Sequence, residues 1–161
     1  MAVRYLEDFQ PGDVHELGEV TVTEEHIIEF GERYDPQPFH VDPAAAKASA
    51  FGGLIASGWL TASLFMRQYV ENLLVDSAGA GSPGIDELRY YRPVRPGDVL
   101  RARFTVLAVQ PAFGRPDRGI VRPRCEMLDA EGKPVLSMIL NSIFLRDPDR
   151  AQSPNPPTEK D

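Results

Sequence analysis

Asp35 and His40 stand five residues apart in the run Asp35-Pro36-Gln37-Pro38-Phe39-His40. A carboxylate beside an imidazole can hold a water molecule and move protons near neutral pH. Pro36 disfavours helical dihedrals at Asp35 and Pro38 fixes a second φ, so the run reads as a stiff extended loop. The two side chains converge if that loop turns once. The same pair would also serve as a loop carboxylate capping an amide and a hydrogen-bonded histidine, and spacing alone leaves both readings open. Gly58 is a third candidate. It follows Ser57, a good N-cap, at the head of a long apolar run. Helix N-termini present unpaired N–H groups and positive partial charge, and glycine lets a ligand atom approach the backbone. That suits a carbonyl oxygen becoming an enolate, or else only close packing where the helix begins.

Other patterns carry less. Gly79-Ala80-Gly81-Ser82-Pro83-Gly84 matches G-x-G-x-x-G, yet it lies between a helical and a strand-like run, the reverse of the dinucleotide order. The elbow G-x-S-x-G of serine hydrolases is absent. His40 and Asp42 offer two metal ligands, but His15 and His26 fall in other elements and Cys125 is single, so no metal site is expected. His15 and His26 read as surface residues of a strand and a helix.

The elements that must position these groups follow from periodicity. A short strand spans about Val14 to Val22, after the turn signal Pro11-Gly12-Asp13. Thr23 is an N-cap, Glu24 and Glu25 favour the first turn, and Ile27, Phe30 and Tyr34 recur at helical spacing up to Asp35. Ala44 to Ala48 forms a brief helical turn. Ser57 to about Asp76 is the longest helix, apolar nearly all round and read as buried, with Arg67 and Glu71 spaced to pair. Four strand-like runs follow: Ile85 to Arg92, Val99 to Val109, Gly119 to Leu128, and Val135 to Arg146. In the second, Leu100, Ala102, Phe104, Val106 and Ala108 share one face. Arg95 to Asp98 and Asp129 to Lys133 are short enough for hairpin turns, and Gln110 to Arg118 reads as a longer loop with two prolines. Together these predict an α+β domain over residues 1–146: a long helix against an antiparallel meander. Residues 147–161 read as a Pro-rich disordered tail.

Composition narrows the function. The chain has 161 residues, enough for one domain with its own core. A net charge of −7 disfavours nucleic acid or an anionic membrane as the main partner. A lone cysteine excludes an intrachain disulfide, which fits a cytoplasmic setting, and no apolar run is long enough to span a membrane. Nine Arg between 89 and 124 face only Asp98 and Asp117. Most belong on wet strand faces, but a basic region on an acidic chain also suits a small anionic ligand. One helix leaves sheet edges and a face uncovered, and dimerisation is the simplest remedy.

The segment Tyr34-Asp35-Pro36-Gln37-Pro38-Phe39-His40-Val41-Asp42 and then Ala48 to Leu60, containing Phe51-Gly52-Gly53-Leu54-Ile55-Ala56-Ser57-Gly58-Trp59, resembles the hydratase motif of MaoC-like proteins. These include the (R)-specific enoyl-CoA hydratases. Gly84 to Tyr90 and Pro93-Val94-Arg95-Pro96-Gly97-Asp98 resemble the family's next strand and turn, so the similarity covers about residues 5 to 146. It implies a hotdog fold, a sheet wrapped around the long central helix, and a homodimer or dimer of dimers. It also implies a hydro-lyase with no cofactor beyond its acyl-CoA substrate. Asp35 and His40 would activate the added water and return a proton to the α carbon. The Gly58 N–H would hold the thioester oxygen. Some of the Arg cluster would meet the CoA phosphates.

Three positions near the site depart from the family or modify it. Gln37 stands where the hydratases usually have Asn, and Ser57 where they commonly have His. Trp59 is bulky and would narrow the acyl tunnel. All three are expected to bear on substrate binding. Two other readings stay open: a hotdog thioesterase, for which Glu71 is the only helix carboxylate, and a non-catalytic acyl-thioester-binding subunit, which the change at Gln37 keeps in play.

Overall fold

Thr23 keeps an extended backbone while its hydroxyl accepts the His26 N–H at 3.1 Å, which starts α1 (Glu24–Tyr34) at the expected cap. The helix ends at Asp35, ahead of Pro36. A computed structural model describes residues 3–150. The expected extended loop after Asp35 is instead broken by one helical turn, α2 (Pro38–Val41). Pro38 allows this because a proline φ suits a first helical position, where its missing N–H has no partner to lose. Asp42 then caps α3 (Pro43–Ala48) by accepting the Ala44 and Ala45 N–H groups.

The long helix, α4 (Gly58–Asn72), is shorter than expected. Leu73 leaves helical dihedrals, and Leu74–Asp76 continues as a 3-10 turn. Its inner face is Leu60, Thr61, Phe65 and Tyr69. The expectation of burial nearly all round fails within the single chain: Trp59, Met66 and Val70 are exposed by 60%, 44% and 42%.

With β1 (Val14–Thr21), the strands β2 (Gly84–Tyr90), β3 (Val99–Ala112), β4 (Arg115–Leu128) and β5 (Pro134–Leu145) form one antiparallel sheet in the order β1-β3-β4-β5-β2. The expected meander holds only for β3 to β5. Arg95–Asp98 is a turn but not a hairpin, because β2 pairs with β5 on the far edge. The crossing segment is held under the head of α4, where the Ala56 N–H donates to the Val94 carbonyl at 2.8 Å. Nor is 110–118 a long loop. β3 and β4 run on to a tight turn at Phe113-Gly114, and Pro111 is tolerated at a register irregularity. The Asp129–Lys133 hairpin is present.

Inward β3 residues Leu100, Ala102, Phe104 and Val106 are buried, as their alternation predicts. A bulge after Val106 ends that phase, leaving Ala108 only half-buried. The Tyr69 ring stacks on Phe104 with centroids 5.2 Å apart, and its buried hydroxyl donates to Ser142 at 3.2 Å. The sheet meets α4 through β1, β3 and β4, and through Ser142 of β5. At the C-terminal end, the Glu7 carboxylate accepts from Arg146 and from the Asp147 N–H, and Arg150 pairs with Asp8 at 2.8 Å. The rest of the expected tail, 151–161, lies outside the described residues.

His26 is exposed on α1, as expected, but His15 is only partly exposed. Its ring sits edge-on to Phe9 and Phe104, with centroids 6.1 and 5.7 Å away, and its buried Nε2 has no partner. Burial lowers its pKa, Arg4 adds to the shift, and Asp13 opposes it. As pH falls below the unfolded value of about 6.5, the unfolded chain takes up a proton that the native His15 refuses, so stability drops. The melting temperature should therefore fall between pH 7.5 and 5.5, and His15→Phe should flatten that slope. Parallel curves for the two proteins would remove His15 as the cause.

Candidate active site

A tight backbone turn builds the site. The Gln37 N–H donates to the Asp35 carbonyl at 2.7 Å across Pro36, and the His40 N–H donates to the Gln37 carbonyl at 2.8 Å. This is the single turn that spacing required, and it swings His40 inward until only 4% of it is exposed. His40 Nδ1 lies 2.7 Å from the Ile55 carbonyl oxygen. A carbonyl only accepts, so Nδ1 carries a proton. The other nitrogen, Nε2, faces Asp35 Oδ2 at 3.2 Å. A proton held between the two atoms makes that contact a hydrogen bond.

Asp35 is engaged on both oxygens. Gln37 Nε2 donates to Oδ1 at 2.8 Å, and Ser57 Oγ donates to Oδ2 at 2.7 Å. Partial burial pushes the carboxyl pKa up, but the Gln37 and Ser57 hydrogen bonds and neighbouring His40 outweigh it and hold it below its usual value. The carboxylate is the form present at neutral pH.

Ser57 ties this carboxylate to the positive end of α4, since its Oγ also accepts the Trp59 N–H at 3.3 Å. Among the described residues nothing accepts from the Gly58 N–H. A Cβ at Gly58 would stand only 2.5 Å from the Tyr90 ring, so glycine is needed here for close approach. The packing explanation for Gly58 therefore holds, and its N–H is still available to a ligand.

Asp35, Gln37, His40, Ser57, Gly58 and Trp59 all border one cleft of about 520 Å³, where the aromatic rings of Phe39, Phe51, Tyr90 and Tyr91 supply apolar wall. Trp59 lies at its rim, largely exposed. Sequence reasoning missed the Ile55 carbonyl and the Tyr90 ring. The first is a backbone atom with no residue signature, and the second arrives from β2 by non-local pairing. Of the Arg cluster, Arg92 lines the cleft and is itself paired with Asp98 and Asp129.

An antiparallel sheet wrapped on a central helix, with this cleft at the helix head, is the hotdog arrangement. The MaoC like domain family profile matches residues 8–122, and the chain belongs to that family. A MaoC-like dehydratase from Rhodospirillum rubrum superposes with a TM-score of 0.83 at 40% identity, covering 89% of this chain and 98% of that one. An R-hydratase from Pseudomonas aeruginosa superposes with a TM-score of 0.70 at 25% identity, over 89% of this chain and 86% of the other. The 3-hydroxyacyl-thioester dehydratase Z of Mycobacterium tuberculosis is 33% identical over 93 residues, which is 56% of this chain and 62% of that protein.

Proposed function

We propose that the protein reversibly hydrates an enoyl-CoA or related acyl thioester. The observation that carries this reading is the Asp35–His40 pair sharing one cleft with the unengaged Gly58 N–H. Asp35 takes a proton from water as the hydroxide oxygen bonds to the β carbon. The π electrons move toward the thioester oxygen, where the Gly58 N–H and the helix dipole stabilise the negative charge. His40 Nε2–H then protonates the α carbon. The proton on Asp35 crosses the 3.2 Å contact to Nε2 and resets the pair. Dehydration is the same path reversed.

The thioesterase reading loses its carboxylate. Glu71 is near the far end of α4, pairs with Arg67 at 2.9 Å and does not line the cleft. A non-catalytic binding role is disfavoured because Gln37 still reaches Asp35. Pairing of two copies through the exposed side of α4 and the β2 edge would cover Met66, Val70 and the unpaired strand, and Arg92 is the cation best placed for a CoA phosphate. A cytoplasmic place in fatty-acid metabolism fits such a substrate and the reduced Cys125. The test is a panel of trans-2-enoyl-CoA esters of increasing chain length, followed by loss of the conjugated double-bond absorbance. Water-dependent loss with at least one ester is expected. Release of free thiol with the double bond intact, or binding with no change, would overturn the reading.

A further inference from the structure

Gln37 and Ser57 both end on the same carboxylate, one on each oxygen. We propose that they form a matched pair of positioning residues that fixes the Asp35 carboxylate, rather than contacts for the acyl group. This rests on the hydratase reading above.

The geometry shows how each contact is made. The longer Gln37 side chain is brought back by the turn its own N–H closes on the Asp35 carbonyl, so the amide reaches Oδ1 despite the added methylene. Ser57 is 1% exposed and has one hydroxyl, which accepts from Trp59 and donates to Oδ2. That hydroxyl couples the carboxylate to the first turn of α4, twenty-two residues further along the chain. With a donor on each oxygen, rotation about the carboxyl bond would break both bonds. The remaining lone pairs stay aimed at His40 and the cleft. Both donors also favour the ionised form, so the pair sets how far the pH can fall before the base is lost.

A purely structural role would predict something else. Losing an N-cap costs stability but leaves the acid limb of a rate profile where it was. The variants to compare are Ser57→Ala, Gln37→Ala, the double variant, and the conservative Ser57→Thr. Gln37 is exposed, so Gln37→Ala tests half of the pair without threatening the fold. With crotonyl-CoA as probe, each Ala variant should lower kcat/KM at pH 7 by about tenfold, the worth of one hydrogen bond to a charged group. Each should also move the acid limb to higher pH, with Ser57→Thr close to wild type. In parallel, 13C NMR titration of the Asp35 carboxyl in labelled protein should show the same upward movement without any turnover. An Asp35 titration unchanged in the double variant would overturn the pairing. Failure of the wild type to hydrate any enoyl thioester would instead overturn the function, while the carboxyl titration would still decide this point.

Discussion

Replacing Asp35 by Asn should lower kcat for enoyl-thioester hydration by about 10²- to 10⁴-fold, the range for removing a positioned general base, with the fold retained. The amide has the carboxylate's shape, so the packing around it is kept. It cannot take a proton from water. Nor can it return a proton to His40 Nε2, so the α-carbon acid is not regenerated. One substitution thus disables both halves of the proton path. For the same reason, His40→Gln combined with Asp35→Asn should cost little more than either alone. There is a stability signature too. The Asp35 carboxyl is held below its usual value, so its ionised form stabilises the native state above the unfolded pKa, and this is lost as pH falls through the lowered value. The Asn variant should lack that part of the acid unfolding curve. Stopped assays of kcat with circular dichroism melts check both. Wild-type turnover in Asp35→Asn would remove the mechanism.

What could be read from the sequence was local. The Thr23 cap and the stop at Pro36 each depend on residues a turn away, and both are present. So is the inward face Leu100 to Val106, because strand alternation needs no partner to be visible. Pro38 misled because a proline φ fits both an extended loop and a first helical position, and only the Gln37 and His40 backbone hydrogen bonds choose between them. The place of β2 at the far edge depends on pairing with β5, about fifty residues away, which no local pattern announces. His15 is a polar residue type, although strand alternation places it on the face of buried Leu17. Phe9 and Phe104 arrive from the N-terminal segment and β3 to cover it. At the site, residue types pointed to Asp35, His40 and Gly58. The partners that give those residues their states are Ile55 O, Ser57 Oγ and the Tyr90 ring, and they meet through the tertiary fold. The Arg cluster was legible as charge, but its pairing was not. Arg103 with Glu16 and Arg122 with Asp86 are contacts between strands distant in sequence.

Gly31→Ala should lower kcat by about ten- to a hundredfold although the residue touches no substrate. Alanine normally improves a helix interior by up to about 1 kcal/mol over glycine, so α1 itself has no reason to object. The obstacle is α2. A Cβ at Gly31 would stand 2.9 Å from Val41 Cγ1, and 3.1 Å from both the His40 Cβ and the His40 carbonyl oxygen. The valine methyl can swing aside, but the His40 backbone can give way only if the helical turn carrying it moves. That motion shifts the imidazole against two fixed points, the Ile55 carbonyl at 2.7 Å and the Asp35 carboxylate at 3.2 Å. Misplacement of a catalytic group by about 1 Å can cost roughly 10²-fold, and a few tenths of an ångström costs correspondingly less. The loss should fall on kcat and leave KM nearly unchanged, because the cleft walls and the Gly58 N–H stay in place. Adding Val41→Ala relieves only the nearest contact and should restore little, whereas Gly31→Val should be worse than Gly31→Ala. A Gly31→Ala enzyme with wild-type kcat would mean that the chemistry does not depend on where α2 holds His40.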